Sequence, residues 1–307
     1  MGPNLLLRRR AMMGAGGGEK DWSKECLTFT FSGAGSFRWF YSNSAAASPD
    51  GPTIEVSVDG GPWESVRAFW NDGNGALIAD VSDGTVVKVR GDNTQYSSGG
   101  QHAYFASSAF FDVSGNIMSL LYSTGFADRT ELTDDYTFQH LFKNCDKLIN
   151  AVNLILPSLE LTFECYGEMF SGCASLITTP ELPAESLNTN CYYAMFNGCA
   201  SLSVAPDLPA MTLAYGCYRE MFSSCITLES SPVLAAAILA ERCYYYMFDG
   251  CSRLNRVTCY ASNLNAPNAI NRWLRNVGAA GTFEKASGVS WPSGESGIPS
   301  GWTVIEV

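Results

Sequence analysis

A chain of mixed β and α/β class is predicted: an N-terminal antiparallel β-sandwich, then a repeat solenoid closed by a C-terminal cap. Three observations lead there. Nine-residue segments bounded by cysteine recur at an unbroken period of 26 between residues 165 and 251. Short β-type runs separated by glycine turns fill the region before them. A tryptophan-containing tail ending in Thr303-Val-Ile-Glu-Val307 follows them.

The first half carries Leu27–Phe31, Phe37–Tyr41, Ile54–Val58, Val86–Val89 and Phe110–Val113, several of them alternating apolar and polar residues. Gly33-Ala-Gly35, Asp59-Gly-Gly61, Asp83-Gly84 and Ser114-Gly-Asn116 lie between or beside them and supply turn chemistry. Regular strands with glycine turns predict an antiparallel β-sandwich over residues 22–131, its linker included. Residues 1–21 break the composition. They hold Arg8, Arg9 and Arg10 and the run Gly14-Ala-Gly-Gly-Gly18, and are expected to form a flexible or anchoring arm. The leucine run Leu5–Leu7 is shorter than the roughly 7–15 apolar residues of a secretory signal. No conventional export signal and no membrane span are expected.

The repeat is read from Cys165-Tyr-Gly-Glu-Met-Phe-Ser-Gly-Cys173 and its counterparts Cys191–Cys199, Cys217–Cys225 and Cys243–Cys251. Leu176, Leu202, Leu228 and Leu254 each stand three residues beyond the second cysteine. Pro180, Pro206 and Pro232 follow, then Leu182, Leu208 and Leu234, and Leu187, Leu213 and Leu239 complete the unit. A worn copy, Phe138–Cys145 with Leu148, precedes them. Five units therefore span 132–265, and residues 266–307 with Trp273, Trp291 and Trp302 are expected to cap the last one. A 26-residue unit cannot bury its own apolar face, whereas stacked units share one interior. The Cys-to-Cys segment is predicted as a short helix or helical turn, and the proline segment as a short extended stretch.

Met195-Phe196-Asn-Gly-Cys199-Ala-Ser-Leu202 with Leu208-Pro209 resembles the BspA-like leucine-rich repeats. The resemblance covers roughly residues 132–265 and departs from that family in unit length and in its second cysteine column. It implies a leucine-rich-repeat solenoid used for adhesion or recognition on gut and oral microbes and in their phages. It implies no catalytic residues.

Eleven cysteines cannot all pair within one chain. On a helix, Cys191 and Cys199 would lie ~12 Å apart, beyond the ~7 Å that a disulfide allows. No C-x-x-C pair suggests zinc. Two columns of small buried thiols, kept reduced in a cytoplasm, are the expectation. No metal and no cofactor are expected.

Composition narrows the chemistry. The 307 residues are 46% hydrophobic and only 16% charged, against ~25% in an average protein. A core is assured, and the surface must consist largely of Ser, Thr, Asn, Gly and Tyr. A net charge of −11 argues against nucleic acid as a partner. His102 and His140 are the only histidines and neither has a catalytic sequence context. Asp72-Gly-Asn-Gly75 reads as a turn rather than a calcium loop, and Asp134-Asp135 as an element start rather than a carboxylate pair.

The positions that vary inside the repeat are the more informative ones. Tyr193, Arg219, Tyr245 and Tyr246 follow the repeated Cys-Tyr pair and are expected at the surface as a ligand-binding strip. The functional expectation is a non-enzymatic structural and recognition protein displayed on a phage virion. Arg8, Arg9 and Arg10 would anchor it to other virion structural proteins, and the repeats would bind a glycan or protein receptor. A homo-oligomer would suit such display. A bacterial cell-surface adhesin is the alternative, and an accessory part of a carbohydrate-active enzyme a third.

Overall fold

The computed structural model describes residues 20–42, 50–69, 75–98 and 100–307. The arm through residue 19, with Arg8, Arg9 and Arg10, lies outside the described residues, as do positions 72–74 of the Asp72–Gly75 turn. The described residues contain no α-helix, only the 3-10 turns Trp22–Lys24, Ile117–Leu120 and Phe126–Asp128. The expected mixed β and α/β class is therefore corrected to an almost entirely β and turn architecture, for two reasons set by the backbone.

The first concerns the N-terminal sheet. Its strands are β1 (Leu27–Ser32), β2 (Gly35–Ser42), β3 (Asp50–Val58), β4 (Glu64–Phe69), β5 (Ala76–Val81), β6 (Val86–Arg90), β7 (Ser97–Ser98), β8 (Gln101–Ser107), β9 (Phe110–Asn116) and β10 (Leu148–Ile155). They form one sheet, in the order β10-β9-β1-β6-β3-β4-β2-β8-β7, with β5 paired to β2. It is mixed, because β2 and β4 meet in parallel at Phe40 and Phe69, and β9 and β10 run parallel. An antiparallel sandwich of two sheets is thus replaced by one sheet curled into a half-barrel. The curl encloses Phe29, Phe37, Trp39 and Phe105, all fully buried, with Phe29 and Phe37 ring centroids 4.5 Å apart. Gly115 lets β9 cross the chain start closely. Its φ is +87°, and a Cβ there would lie 2.0 Å from the Cys26 carbonyl oxygen.

The second concerns the repeats. The N–H groups of Tyr166, Glu168, Phe170 and Gly172 donate to the carbonyls of Cys191, Tyr193, Met195 and Asn197 on the following coil, at 2.7–3.0 Å. The intervening N–H groups of Gly167, Met169, Ser171 and Cys173 donate three residues back, at 3.0–3.2 Å. The same alternation recurs from 192 to 217, from 218 to 243 and from 244 to 269. An α-helix consumes its interior N–H groups internally. Here every second one is released to tie coil to coil, so the expected helix is absent and the helical solenoid with it. Every fourth residue takes a positive φ, as at Glu164, Glu168 and Gly172, then Asn190, Ala194 and Gly198. The chain thus turns a corner every four residues. Two residues in each four point inward, so Cys165, Tyr166, Met169, Phe170 and Cys173 are all essentially fully buried.

Identical side chains lie over one another. Phe142, Phe170, Phe196, Phe222 and Phe248 stack at 5.3–5.8 Å with planes within 8° of parallel. Beside them run Tyr96, Phe138, Tyr166, Tyr192, Tyr218, Tyr244, Trp273 and Trp291 at 5.5–6.2 Å, a column that starts in the sheet and ends near the C-terminus. The cysteines are free, and ten of the eleven are buried. The thiols of Cys173, Cys199, Cys225 and Cys251 donate to the carbonyls of Phe142, Phe170, Phe196 and Phe222, at 3.0–3.2 Å. Burial pushes each of these four thiols up from its ordinary value, away from the reactive thiolate.

The opposite side of the stack is extended. β11 (Ser230–Leu234), β12 (Arg256–Cys259), β13 (Thr282–Lys285) and β14 (Thr303–Glu306) form a parallel sheet. A separate column of single bridges, such as Glu160 to Ser186 and Ser186 to Thr212, runs further along each coil, and the strand column itself shows the bridge Asn150 to Thr178 in the coils before β11. Pro180 and Pro206 each withhold a ladder donor there. Pro232 sits inside β11 at a register shift. The coil pattern continues past residue 265, since Tyr244, Tyr246, Phe248 and Gly250 donate to Ala269, Asn271, Trp273 and Arg275.

One substitution separates the turn architecture from a helix. Ser224 is exposed, has φ +62° and occupies the place held by Gly172, Gly198 and Gly250 in the other coils. Ser224→Gly is expected to raise the unfolding free energy by about 0.5–1 kcal/mol by removing left-handed strain. In a helix interior the same change would be destabilising. Urea unfolding measures the sign.

Candidate functional site

Corners at every fourth residue give the stack one side built only from turns. Register places residues 163–164, 167–168 and 171 of one coil beside their counterparts 26 positions on. Tyr193, Arg219 and Tyr245 thus share a column, continued by Gly167 before and Asn271 after, and Tyr246 and Arg272 share the next one.

All four residues expected to bind ligand are on this face, each half-buried. The Arg219 guanidinium lies 4.9 Å from the Tyr193 ring centroid and 5.5 Å from that of Tyr245. It also pairs with Glu220 at 3.0 Å. Tyr245 and Tyr246 are 4.5 Å apart with rings tilted by 55°. Burial, with Glu220 and Glu168 nearby, raises the Tyr193 hydroxyl above its ordinary value.

The structure adds members that the sequence reading missed. Arg242 lies between Tyr215, at 5.8 Å, and Tyr245, at 5.9 Å. Arg272 stands 5.9 Å from the Tyr246 ring and donates to its hydroxyl at 2.8 Å. Arg275 lies over the same ring at 5.0 Å and forms two hydrogen bonds with Asp249, the Nε–Oδ1 bond at 2.8 Å. The strict spacing of four between Cys165, Met169 and Cys173 was the available signal. It turns every fourth position outward, so residues 215, 242 and 275 join the varying pair after Cys-Tyr.

At the other end of the same face the two histidines meet. His102 on β8 and His140 on the first coil have ring centroids 4.2 Å apart. His140 Nε2 contacts Glu168 at 3.0 Å, and Lys143 pairs with the other oxygen of that carboxylate. Burial, then the neighbouring His140 and Lys143, lowers His102 to about 4. Burial acts to raise Glu168, but hydrogen bonds from His140 and Lys143 together with their charges outweigh it, to about 2. Asp134 and Asp135 sit at the start of this coil. The Asp134 carboxylate accepts from Thr133, and Asp135 accepts the Phe163 N–H at 3.1 Å.

No group of three or more His, Cys, Asp or Glu among the described residues is arranged to hold a metal ion. Two surface concavities near the C-terminal end are lined by residues such as Ser262, Asn265 and Ser290, and by Asn268, Asn271 and Ser296. Neither has a titratable side chain in its lining. No helix among the described residues is long and apolar enough to cross a membrane.

Fold and face together define a stack of turn-built coils with an invariant interior and a variable tyrosine- and arginine-bearing side. No family model, no curated protein and no solved structure matches the chain.

Proposed function

We propose that this chain is a non-enzymatic structural and recognition protein displayed on a phage virion, binding a host-surface or mucosal ligand through the turn face of its coils. One observation carries the reading. Interior positions repeat from coil to coil, whereas turn-face positions vary and gather Tyr193, Tyr215, Tyr245 and Tyr246 with Arg219, Arg242 and Arg272. Half-buried tyrosines lose little freedom on binding, and tyrosine and arginine are the residues on which interfaces concentrate their energy.

That the chain is non-enzymatic is part of the same proposal. Ten buried free thiols favour folding in a reducing cytoplasm. Attachment to other virion structural proteins through Arg8, Arg9 and Arg10 belongs to the same proposal, as does kinship with BspA-like repeats through Met195-Phe196-Asn-Gly-Cys199.

Mass spectrometry of purified phage particles is expected to find the chain at the abundance of a structural component. Antibodies against the coils are expected to label intact particles. A chain present in the infected-cell lysate but missing from the particles, or displayed on cells that carry no phage, overturns the reading.

A further inference from the structure

We propose that the turn face takes an acidic oligosaccharide, with Arg242 and Arg272 receiving its carboxylate or sulfate groups and Tyr215, Tyr245 and Tyr246 contacting its sugar rings. The proposal rests on the recognition reading above and names its ligand class.

The four arginines of the face are not equivalent. Arg219 is paired with Glu220, and Arg275 with Asp249 through two hydrogen bonds. Arg242 is different. Its nearest carboxylate, that of Glu241, is 4.0 Å away, at the limit of an ion pair. Its Nε atom is buried with no hydrogen-bond partner. A guanidinium is a planar fork of donors matched to a two-oxygen acid group, and the Arg242 side chain is 39% exposed, within reach of an acid from solvent. Arg272 is exposed and bonds the Tyr246 hydroxyl. No ion pair to it is found among the described residues.

Arg242 lies 5.8 Å from the Tyr215 ring centroid and 5.9 Å from that of Tyr245, and Arg272 lies 5.9 Å from that of Tyr246, to whose hydroxyl it also donates. The tilted Tyr245–Tyr246 pair lies among these cations, with the Tyr246 hydroxyl accepting from Arg272. This arrangement suits acid groups spaced apart on a chain of otherwise neutral rings with apolar C–H faces.

A nucleic acid fits less well. Its charges are dense and continuous and call for many cations, whereas only two here lack a close carboxylate partner. An acidic peptide would supply the charge without sugar faces for the tyrosines.

The test is calorimetry on the full chain at low and high salt. The probes are partly methyl-esterified polygalacturonate oligomers, the fully esterified oligomers, sparsely sulfated and neutral dextran oligomers, poly-glutamate and single-stranded DNA. An acidic sugar is expected to bind at least about tenfold more tightly than its esterified or neutral counterpart, and to weaken with salt. The galacturonate and sulfated arms distinguish carboxylate from sulfate. Arg242→Gln and Arg272→Gln are each expected to weaken binding about tenfold, equivalent to about 1.4 kcal/mol, with an unchanged melting temperature. Equal binding of the methyl ester, full binding by both variants, tighter binding of poly-glutamate or DNA, or no binding by any probe overturns the assignment. Binding of neutral sugars lost in Tyr245→Ala also overturns it, yet leaves the recognition reading standing. Absence from particles would remove the virion reading without touching the acidic-sugar result.

Discussion

Phe196→Ala is expected to lower the unfolding free energy by about 3–5 kcal/mol. Phe196 is fully buried, with Phe170 at 5.5 Å on one side and Phe222 at 5.8 Å on the other. Removing its ring deletes the apolar contacts and leaves a space bounded by three coils. Those coils are fixed at hydrogen-bonding distance by the bonds of Phe170 to Met195 and of Phe196 to Met221, both 2.9 Å. The site cannot readily collapse, which sets the cost toward the upper end of such substitutions. Stability in a stacked array is the sum of unit and neighbour terms, so the loss should be shared. Phe196→Ala combined with Phe222→Ala is expected to cost less than the two separate losses added, by about 0.5–3 kcal/mol, because both remove one ring contact. Denaturant unfolding of the single and double variants measures this. A single-site loss below about 1 kcal/mol would contradict a shared stacked interior.

That interior was legible because its spacing is arithmetic. The 26-residue interval places Phe170, Phe196, Phe222 and Phe248 in register before any geometry is known. The local path was not legible by the same route. Cysteines eight residues apart, with Met and Phe between them, resemble a helical stripe. On a helix a strict step of four drifts by roughly 40° each time, since each residue turns about 100°. Cys165, Met169 and Cys173 do not drift, because a positive φ at every fourth residue makes four residues one corner. Glycine at 172, 198 and 250 was the visible trace of this, but Glu168, Ala194 and Tyr246 adopt the same conformation without announcing it.

The strands of the first half were legible one by one and their partners were not. Leu27–Phe31 and Ile54–Val58 read clearly as β, but alternation is identical in a sandwich and in a curled single sheet. Phe40 facing Phe69 in parallel, which joins the halves of that sheet, has no local signature. In the candidate site, Tyr193, Arg219, Tyr245 and Tyr246 could be chosen because they vary among fixed neighbours. Arg242 was missed because the helical reading did not bring its column onto that side, and Arg272, in the column of Tyr246, because the repeats were ended at residue 265. The meeting of His102 and His140 depends on β8 lying over the first coil, through the Phe105 N–H bond to the Leu141 carbonyl at 3.0 Å.

That meeting makes the seam between sheet and coils sensitive to acid. His102 faces His140 and Lys143 of the first coil, Glu168 of the second, and Tyr104 of its own strand, whose ring centroid is 5.9 Å away. Both Nδ1 atoms are buried without a partner. In the unfolded chain His102 takes up a proton near pH 6.5, whereas in the folded protein burial and the neighbouring His140 and Lys143 delay this to about 4. The unfolded state therefore binds the extra proton between those values. Stability supplied by the neutral ring is complete above pH 6.5 and is lost as pH falls toward 4. With screening at a site only partly shielded from water, the loss is about 1–2 kcal/mol. Glu168 extends it downward. Its folded value of about 2, below the ordinary 4.5, contributes stability that is present above pH 4.5 and lost as pH falls toward 2. Urea unfolding between pH 7 and 3 is expected to show a decline beginning near pH 6.5. His102→Gln should flatten the upper part of that decline and Glu168→Gln the lower part. A profile level from pH 6.5 to 4.5, or one with the same slope in His102→Gln, would show that the paired rings do not control the seam.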